Sequence, residues 1–163
     1  MKKTFICCLL TLVCFPLGAQ PLDEGAFDMI SISADEARED EQPGILHFNG
    51  NFLMQSSDWK LVSEVATVYG SPDKPDRVFL EGAPARFVVY RDDQSEQGPI
   101  KAAASAVEYL RDANVLILSG GAMLELGDEV IRSTDIMYDI STNRYQAGGT
   151  DGVLIKVPPI DKF

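Results

Sequence analysis

A short pattern, apolar-x-small-x-x-apolar, returns four times along the chain, and a chain that repeats itself is built from copies of one supersecondary unit. The copies are Ile32-x-Ala34-x-x-Ala37, Leu61-x-Ser63-x-x-Ala66-x-Val68, Ala102-x-Ala104-x-x-Val107-x-Tyr109 and Ile131-x-Ser133-x-x-Ile136-x-Tyr138. Their small anchor residues, at positions 34, 63, 104 and 133, are spaced by 29, 41 and 29. Each copy is followed by a turn-like stretch and a second half that closes on glycine: Leu46-x-Phe48-x-Gly50, Val78-x-Leu80-x-Gly82, Leu116-x-Leu118-x-Gly120 and Tyr145-x-Ala147-x-Gly149. The anchor-to-glycine distances of 16, 19, 16 and 16 residues mark one unit with insertions. The extra residues fall at 71–76 and 91–99, both loop insertions by composition.

Within each half the apolar residues alternate, as in Val78, Leu80 and then Phe87, Val89, or Leu116, Leu118 and then Ala122, Leu124. A period of two is the period of a strand with one buried face, so each unit reads as strand, turn, strand. The glycine in each second strand predicts a bend or bulge that lets a sheet curl. Two segments speak against this on local propensity: residues 101–113 (KAAASAVEYLRDA) and 35–41 are rich in helix formers. The same register positions in other units hold β-branched sequence, as in residues 62–69 (VSEVATVY), and tertiary context outweighs a weak local preference. The expectation is an all-β chain, with a short helix at either segment as the alternative.

The first residues have a different character. Lys2 and Lys3 precede an uncharged, mostly apolar run from Phe5 to Leu17, and Gly18-Ala19 offers a small-residue exit. Residues 1–19 therefore read as a cleaved signal peptide and residues 20–163 as a single domain. The residue before Cys14 is Val13, bulky where a lipidation site takes a small one, so no lipid anchor is expected. Cys7, Cys8 and Cys14 leave with the leader, so the remaining 144 residues hold no thiol, disulfide or thiolate metal site. Loss of Lys2 and Lys3 takes the basic count from 14 to 12 against 25 acidic residues, a net charge of −13. That balance argues against a nucleic-acid backbone as the natural partner and against simple electrostatic docking on anionic membranes.

Catalytic constellations are sparse. His47 is the only histidine, which excludes a triad or a histidine metal cluster, and its flanks Leu46 and Phe48 place it on the opposite face, toward solvent. The acidic groups 35–36, 39–41 and 92–93 sit in polar, turn-like stretches and read as solvated surface charge. Gly120-Gly121 and Gly148-Gly149 open no helix and carry no Gly-Lys-Ser/Thr, so they are β-bends and not phosphate loops. Trp59 reads as a core or rim aromatic. A repeated sheet with many inward apolar residues and no catalytic machinery is a container or a scaffold; no enzyme activity, metal or cofactor is expected.

The repeat residues carry a resemblance. Residues 30–35 (ISISAD), Leu46-x-Phe48-x-Gly50-Asn51 with Gln55, residues 82–87 (GAPARF), the 104–120 unit with Tyr109, and Ile131-x-Ser133-x-x-Ile136-x-Tyr138-Asp139 together resemble the periplasmic lipopolysaccharide-transport protein A family, the LptA family with its OstA-like N-terminal domain, over residues 28–158. The resemblance implies an open, twisted β-jelly roll whose inner face holds the acyl chains of lipopolysaccharide. By position it implies Ile30, Ile32, Phe48, Phe87, Tyr109, Leu116 and Leu118 as the lipid-binding residues. It further implies a periplasmic location, with head-to-tail stacking on itself and on similar jelly rolls of the inner-membrane and outer-membrane transport complexes, through edges at about 28–33 and 152–157. The acidic surface is compatible with an anionic lipid. Burying about ten acyl carbons at roughly 0.8 kcal/mol each supplies on the order of 8 kcal/mol, whereas exposed charge pairs contribute about 1 kcal/mol or less. Two alternatives stand beside this reading: an adaptor relative resembling lipopolysaccharide-transport protein C, and a structural β-repeat module with a solid core that binds partners and no lipid.

The leader reading has a direct check. Intact-mass measurement of the exported protein is expected to give a chain starting at Gln20 with no added lipid. A diacylglyceryl adduct, or a species that retains Lys2 and Lys3, would favour the adaptor alternative.

Overall fold

The computed structural model describes residues 29–90 and 98–158, so the leader expected at 1–19 and most of the 91–99 insertion lie outside the described residues. Among the described residues nine strands follow one another: β1 (Ser31–Ser33), β2 (Glu36–Glu39), β3 (Ile45–Gln55), β4 (Trp59–Ser71), β5 (Lys74–Val89), β6 (Ile100–Leu110), β7 (Val115–Leu126), β8 (Glu129–Asp139) and β9 (Arg144–Lys156). They form one antiparallel sheet in chain order, β1-β3-β4-β5-β6-β7-β8-β9, with β2 beside β1 on the same edge of β3. Residues 100–110 are strand throughout, so ladder partners on both sides override the helix propensity of the alanine-rich segment.

Every long strand changes register at the same level of the sheet. The ladders shift between Asn49 and Phe52 in β3, Val62 and Val65 in β4, Glu81 and Ala85 in β5, Ala103 and Ala106 in β6, Ser119 and Ala122 in β7, and Ser133 and Asp135 in β8. Bulges raise local twist and bend a strand, and a row of them folds the sheet along a seam. The repeat explains the row. The residue after each anchor lies against the glycine that closes the unit: Asp35 on Gly50, Ser105 on Gly120, Thr134 on Gly149 and the Glu64 backbone on Gly82. A Cβ on Gly50 or Gly149 would collide with the Asp35 or Thr134 side chain, so the close approach requires glycine. The seam is polar where it must be: Ser133 Oγ donates to the Gly148 carbonyl at 2.8 Å and Ser105 Oγ to the Gly120 carbonyl at 2.9 Å.

The seam divides the sheet into two halves whose inner faces turn toward each other. One cross-strand row runs through Met54, Leu61, Phe87, Ala102, Leu124 and Ile131 in the first half; another runs through Phe48, Ala66, Leu80, Val107, Leu118 and Ile136 in the second. Both belong to a single core cluster. Ser63, Ala85, Ala104, Ala122 and Ser133 are buried beside the seam, where the halves converge, and at the β3 end of their row the larger Phe52 is fully buried. The convergence is why the anchor of each repeat is small. The result is the open, twisted β-jelly roll that the resemblance implied.

One expectation is corrected. Residues 71–76 are not a loop: Ser71 pairs with Lys74 and Gly70 with Pro75, so the insertion lengthens the β4–β5 hairpin and buries Pro75.

The convergence at the seam predicts a steep penalty for bulk. Ala104→Leu is expected to lower the unfolding free energy by about 1–3 kcal/mol, the cost of overpacking. Ala37→Leu, on the exposed edge strand β2, is expected to stay within about 0.5 kcal/mol. Urea denaturation of both variants checks the difference.

Candidate apolar groove

Away from the seam the halves diverge, and the gap between their free ends holds a cavity of about 160 Å³. One side is lined by Met54, Trp59, Leu61, Phe87 and Val89 of the first half, the other by Pro75, Val78, Tyr109, Asn114 and Ile140 of the second. Strand alternation aims each of these strand residues inward, and the hairpin ends place Trp59, Asn114 and Ile140 at the rim. A cavity of roughly this size walled by aliphatic and aromatic side chains stays dry and accepts apolar guests.

The rings of Phe87 and Tyr109 stack across the gap, one from each half, with centroids 5.7 Å apart and planes at 28°. The Tyr109 hydroxyl donates to Oδ1 of Asn114 at 3.3 Å. The same arrangement recurs 29 residues later, where Tyr138 donates to Asn143 at 2.6 Å. Asn114 and Asn143 close their hairpins in the left-handed backbone region, at φ 53° and 54°, which asparagine tolerates well. Each tyrosine therefore keeps an apolar body inside and a polar tip tied to the turn. Burial holds the Tyr109 phenol above its ordinary pKa, against the pull of the nearby Arg111 charge.

All seven residues singled out by the resemblance are on or beside the inner face, and they separate into three places. Phe87 and Tyr109 line the cavity. Phe48, Leu116 and Leu118 are buried in the packed core, Phe48 and Leu118 toward the seam and Leu116 as the ladder partner of Tyr109, with Phe48 against Phe52 at 5.1 Å between centroids. Ile30 and Ile32 line a second, more open groove at the N-terminal edge, facing Pro72 and Asp73 of the β4–β5 turn. Ile32 pairs with Met54, so this groove adjoins the cavity wall. Trp59, Pro75, Val89, Asn114 and Ile140 were not singled out. The signals for two of them were present, in the rim position of Trp59 and in the Tyr138-x-Ile140 alternation beyond the last repeat.

The outer face mixes polar and apolar side chains, as in the cross-strand row Thr67, Phe79, Glu108, Ile117, Met137 and Gln146. His47 lies there, opposite Phe48 as expected, but it is not free in solvent: Nε2 lies 2.7 Å from Asp40 Oδ2 and Nδ1 3.2 Å from Thr67 Oγ1. The Gln42 backbone N–H and then His47 hold the Asp40 carboxyl below its usual range. Among the described residues no group of three histidine, cysteine or acidic side chains is placed to hold a metal ion.

A family model described as LptA/(LptD N-terminal domain) LPS transport protein matches residues 31–144. The chain belongs to this family. The lipopolysaccharide export system protein LptA of Escherichia coli (strain K12) is 26% identical over 125 residues, covering 76% of this chain and 66% of that protein. LptA of Shigella flexneri gives the same figures. The match thus spans just under two thirds of these relatives' length. The crystal structure of LptH, the LptA homologous periplasmic component of the conserved lipopolysaccharide transport device from Pseudomonas aeruginosa, superposes with a TM-score of 0.70 at 19% identity, over 81% of this chain and 96% of that one. The folded-over antiparallel sheet is therefore the LptA-family fold.

Tyr109 and Tyr145 are both held above the ordinary phenol pKa of about 10, in each case chiefly by burial. A pKa raised in the folded state contributes stability that is complete below the unfolded value and is lost as pH rises through the folded one. Thermal stability is expected to be insensitive to these two groups below about pH 10 and to fall above it. Ultraviolet absorbance titration of the parent chain against Tyr109→Phe and Tyr145→Phe assigns the late-ionising phenols; ionisation of either at or below the free-phenol value would contradict the burial assigned here.

Proposed function

We propose that this chain is a periplasmic lipopolysaccharide carrier that holds acyl chains between its two half-sheets and leaves the phosphorylated head in water. The observation that carries the reading is the apolar cavity across which Phe87 and Tyr109 meet. A space that is walled by apolar side chains and open at a rim suits a flexible hydrocarbon chain. Parting the stacked rings lets the chain take their place without exposing either to water. Family membership supports the same reading, and the names of the relatives place them in lipopolysaccharide export. The lipid-binding residues are Phe87 and Tyr109 in the cavity and Ile30 and Ile32 in the adjoining groove. Phe48, Leu116 and Leu118 form the packed floor beneath and come into contact only with a deeply inserted chain. The role is transport without catalysis.

The remaining parts of the proposal concern processing and assembly. Residues 1–19 act as the export leader and residues 20–163 as the carrier domain. The two sheet edges differ: β1 and β2 carry Ser31, Ser33, Glu36, Arg38 and Glu39, whereas β9 exposes Val153, Leu154 and Ile155, each about half exposed. An exposed apolar edge strand is a template for strand addition. Pairing of β9 with the first strands of a second copy, or of a similar jelly roll in the membrane complexes, gives a heterologous contact that extends into rods. Pro158 follows β9 and donates no ladder hydrogen bond, so it limits the pairing to the strand.

Site-specific photo-crosslinking tests the groove. A benzophenone side chain at Phe87 or Tyr109 is expected to capture lipopolysaccharide, and the same probe at His47 on the outer face to capture at least about tenfold less, the equivalent of roughly 1.4 kcal/mol in local preference. Equal labelling at all three positions would overturn the inside assignment.

A further inference from the structure

A second contact joins the two half-sheets across the mouth, and it is polar. The Tyr145 hydroxyl, from the second half on β9, donates to Glu129 Oε1, from the first half on β8, at 2.9 Å. Register settles the orientation of both. Tyr145 pairs with the fully buried Tyr138, and Glu129 lies two residues before the fully buried Ile131, so both side chains point to the inner face. Glu129 also pairs with Leu126, which pairs with the buried Ile100, so its carboxylate ends a cross-strand row that is otherwise apolar. Burial and the bond to Glu129 together hold the Tyr145 phenol above its ordinary range.

The position along the mouth gives this contact a meaning that packing does not supply. From the N-terminal edge inward, the mouth is first the groove at Ile30 and Ile32, then the cavity at β4–β6, and then the Glu129–Tyr145 bond, whose Tyr145 end already stands on the edge strand β9. Ile155, paired with Ile131, continues the inner row one strand beyond Glu129 and is 47% exposed. Apolar lining thus lies on both sides of a polar closure. An apolar pair at this place would seal the passage by the same burial that holds the core. A carboxylate and a phenol, both only half-buried, can part because water replaces each lost partner, and they can close again behind whatever has passed.

We propose that Glu129 and Tyr145 form a gate in the groove, so that an acyl chain seated in the cavity reaches the β9 edge only when this hydrogen bond opens. The proposal rests on the reading that the groove holds acyl chains. Tyr145 and Glu129 are positioning residues for passage and contribute little to seating, which is the task of the cavity walls. Opening is a rate-limiting barrier common to arrival from and departure to the β9 side, so loosening it speeds transfer with little change in equilibrium binding.

The test uses the mature chain and a pyrene-labelled hexadecanoate as probe, measuring equilibrium binding and the rate of transfer to an unlabelled second copy. Tyr145→Phe and Glu129→Ala are expected to raise the transfer rate about three- to tenfold with dissociation constants within about twofold of the parent. Glu129→Gln keeps an oxygen acceptor for the phenol and is expected to stay near the parent rate. Glu129→Cys with Tyr145→Cys, bridged by a short bismaleimide, is expected to bind the probe normally and to transfer it at least tenfold more slowly; the mature sequence offers no competing thiol. Parent-like transfer in the bridged protein, or in both loosening variants, would overturn the gate while leaving the acyl-binding reading intact. A parent chain that binds no probe would overturn both.

Discussion

A single sheet with one apolar face has no second layer to cover it, and it must either pair with another molecule or fold upon itself. Here it folds, and everything else in the molecule depends on the bend falling at the same level in every long strand. Small anchors and closing glycines repeat at nearly constant separation, so the ladder shifts line up as a seam. A single misplaced bulge would put one strand's apolar residues on the outer face, because a one-residue slip exchanges the faces of a strand. The repeat in the sequence is therefore the chemical record of a geometric requirement.

The same bend explains where empty space can exist. Close to the seam the halves touch through alanine and serine and the core is filled. Toward the free ends the separation grows, and it is bridged by long side chains, Phe87 stacked on Tyr109 and Tyr145 hydrogen-bonded to Glu129. Contacts of this kind are few and separable, unlike the interdigitated core, so the mouth can open without unfolding the ladders. Folding one sheet this way also leaves two unpaired edges, which a closed barrel would lack. In the proposed function, a sheath for a hydrocarbon chain and a pair of docking edges are two consequences of one topology.

Much of this was legible in the sequence, because alternation and repeat spacing are local properties. They place Val78, Phe87, Leu118 and Leu124 on one face, and they outweigh the helical composition of residues 101–113. What alternation cannot distinguish is an inward residue in packed core from one beside open space. Phe48, Leu116 and Leu118 share the inward register of Phe87 and Tyr109, yet they are sealed by their neighbours: Phe48 and Leu118 lie nearer the seam than Tyr109, and Leu116, level with it, is flanked by Tyr109 and Tyr138. Pro75 was assigned to a loop by its composition and is instead a buried wall of the cavity, since the β4–β5 hairpin continues through it. The Glu129–Tyr145 contact depends on the folding-over itself, and no spacing rule within one strand announces it. His47 was placed on the correct face, but its ties to Asp40 and Thr67 depend on the β2–β3 turn and on β4, which the residues flanking it do not reveal.

In the proposed carrier, an outer surface this acidic, net −11 for the whole sequence, gives an anionic lipid no electrostatic reason to adhere outside, which leaves apolar burial as the force that would localise it. The methionines report on that localisation: Met54 forms part of the cavity wall, whereas Met137 is 48% exposed and Met123 alternates with the inward Ala122 and Leu124 on the opposite face. The most direct measurement is therefore methyl-labelled methionine NMR with a lipid A analogue bound, recording nuclear Overhauser contacts from the acyl methylenes. Contacts to Met54, with none to Met123 or Met137, are the expected result; contacts to Met123 and Met137 with Met54 unperturbed would place the lipid on the outside and contradict a carrier built by folding one sheet over its own apolar face.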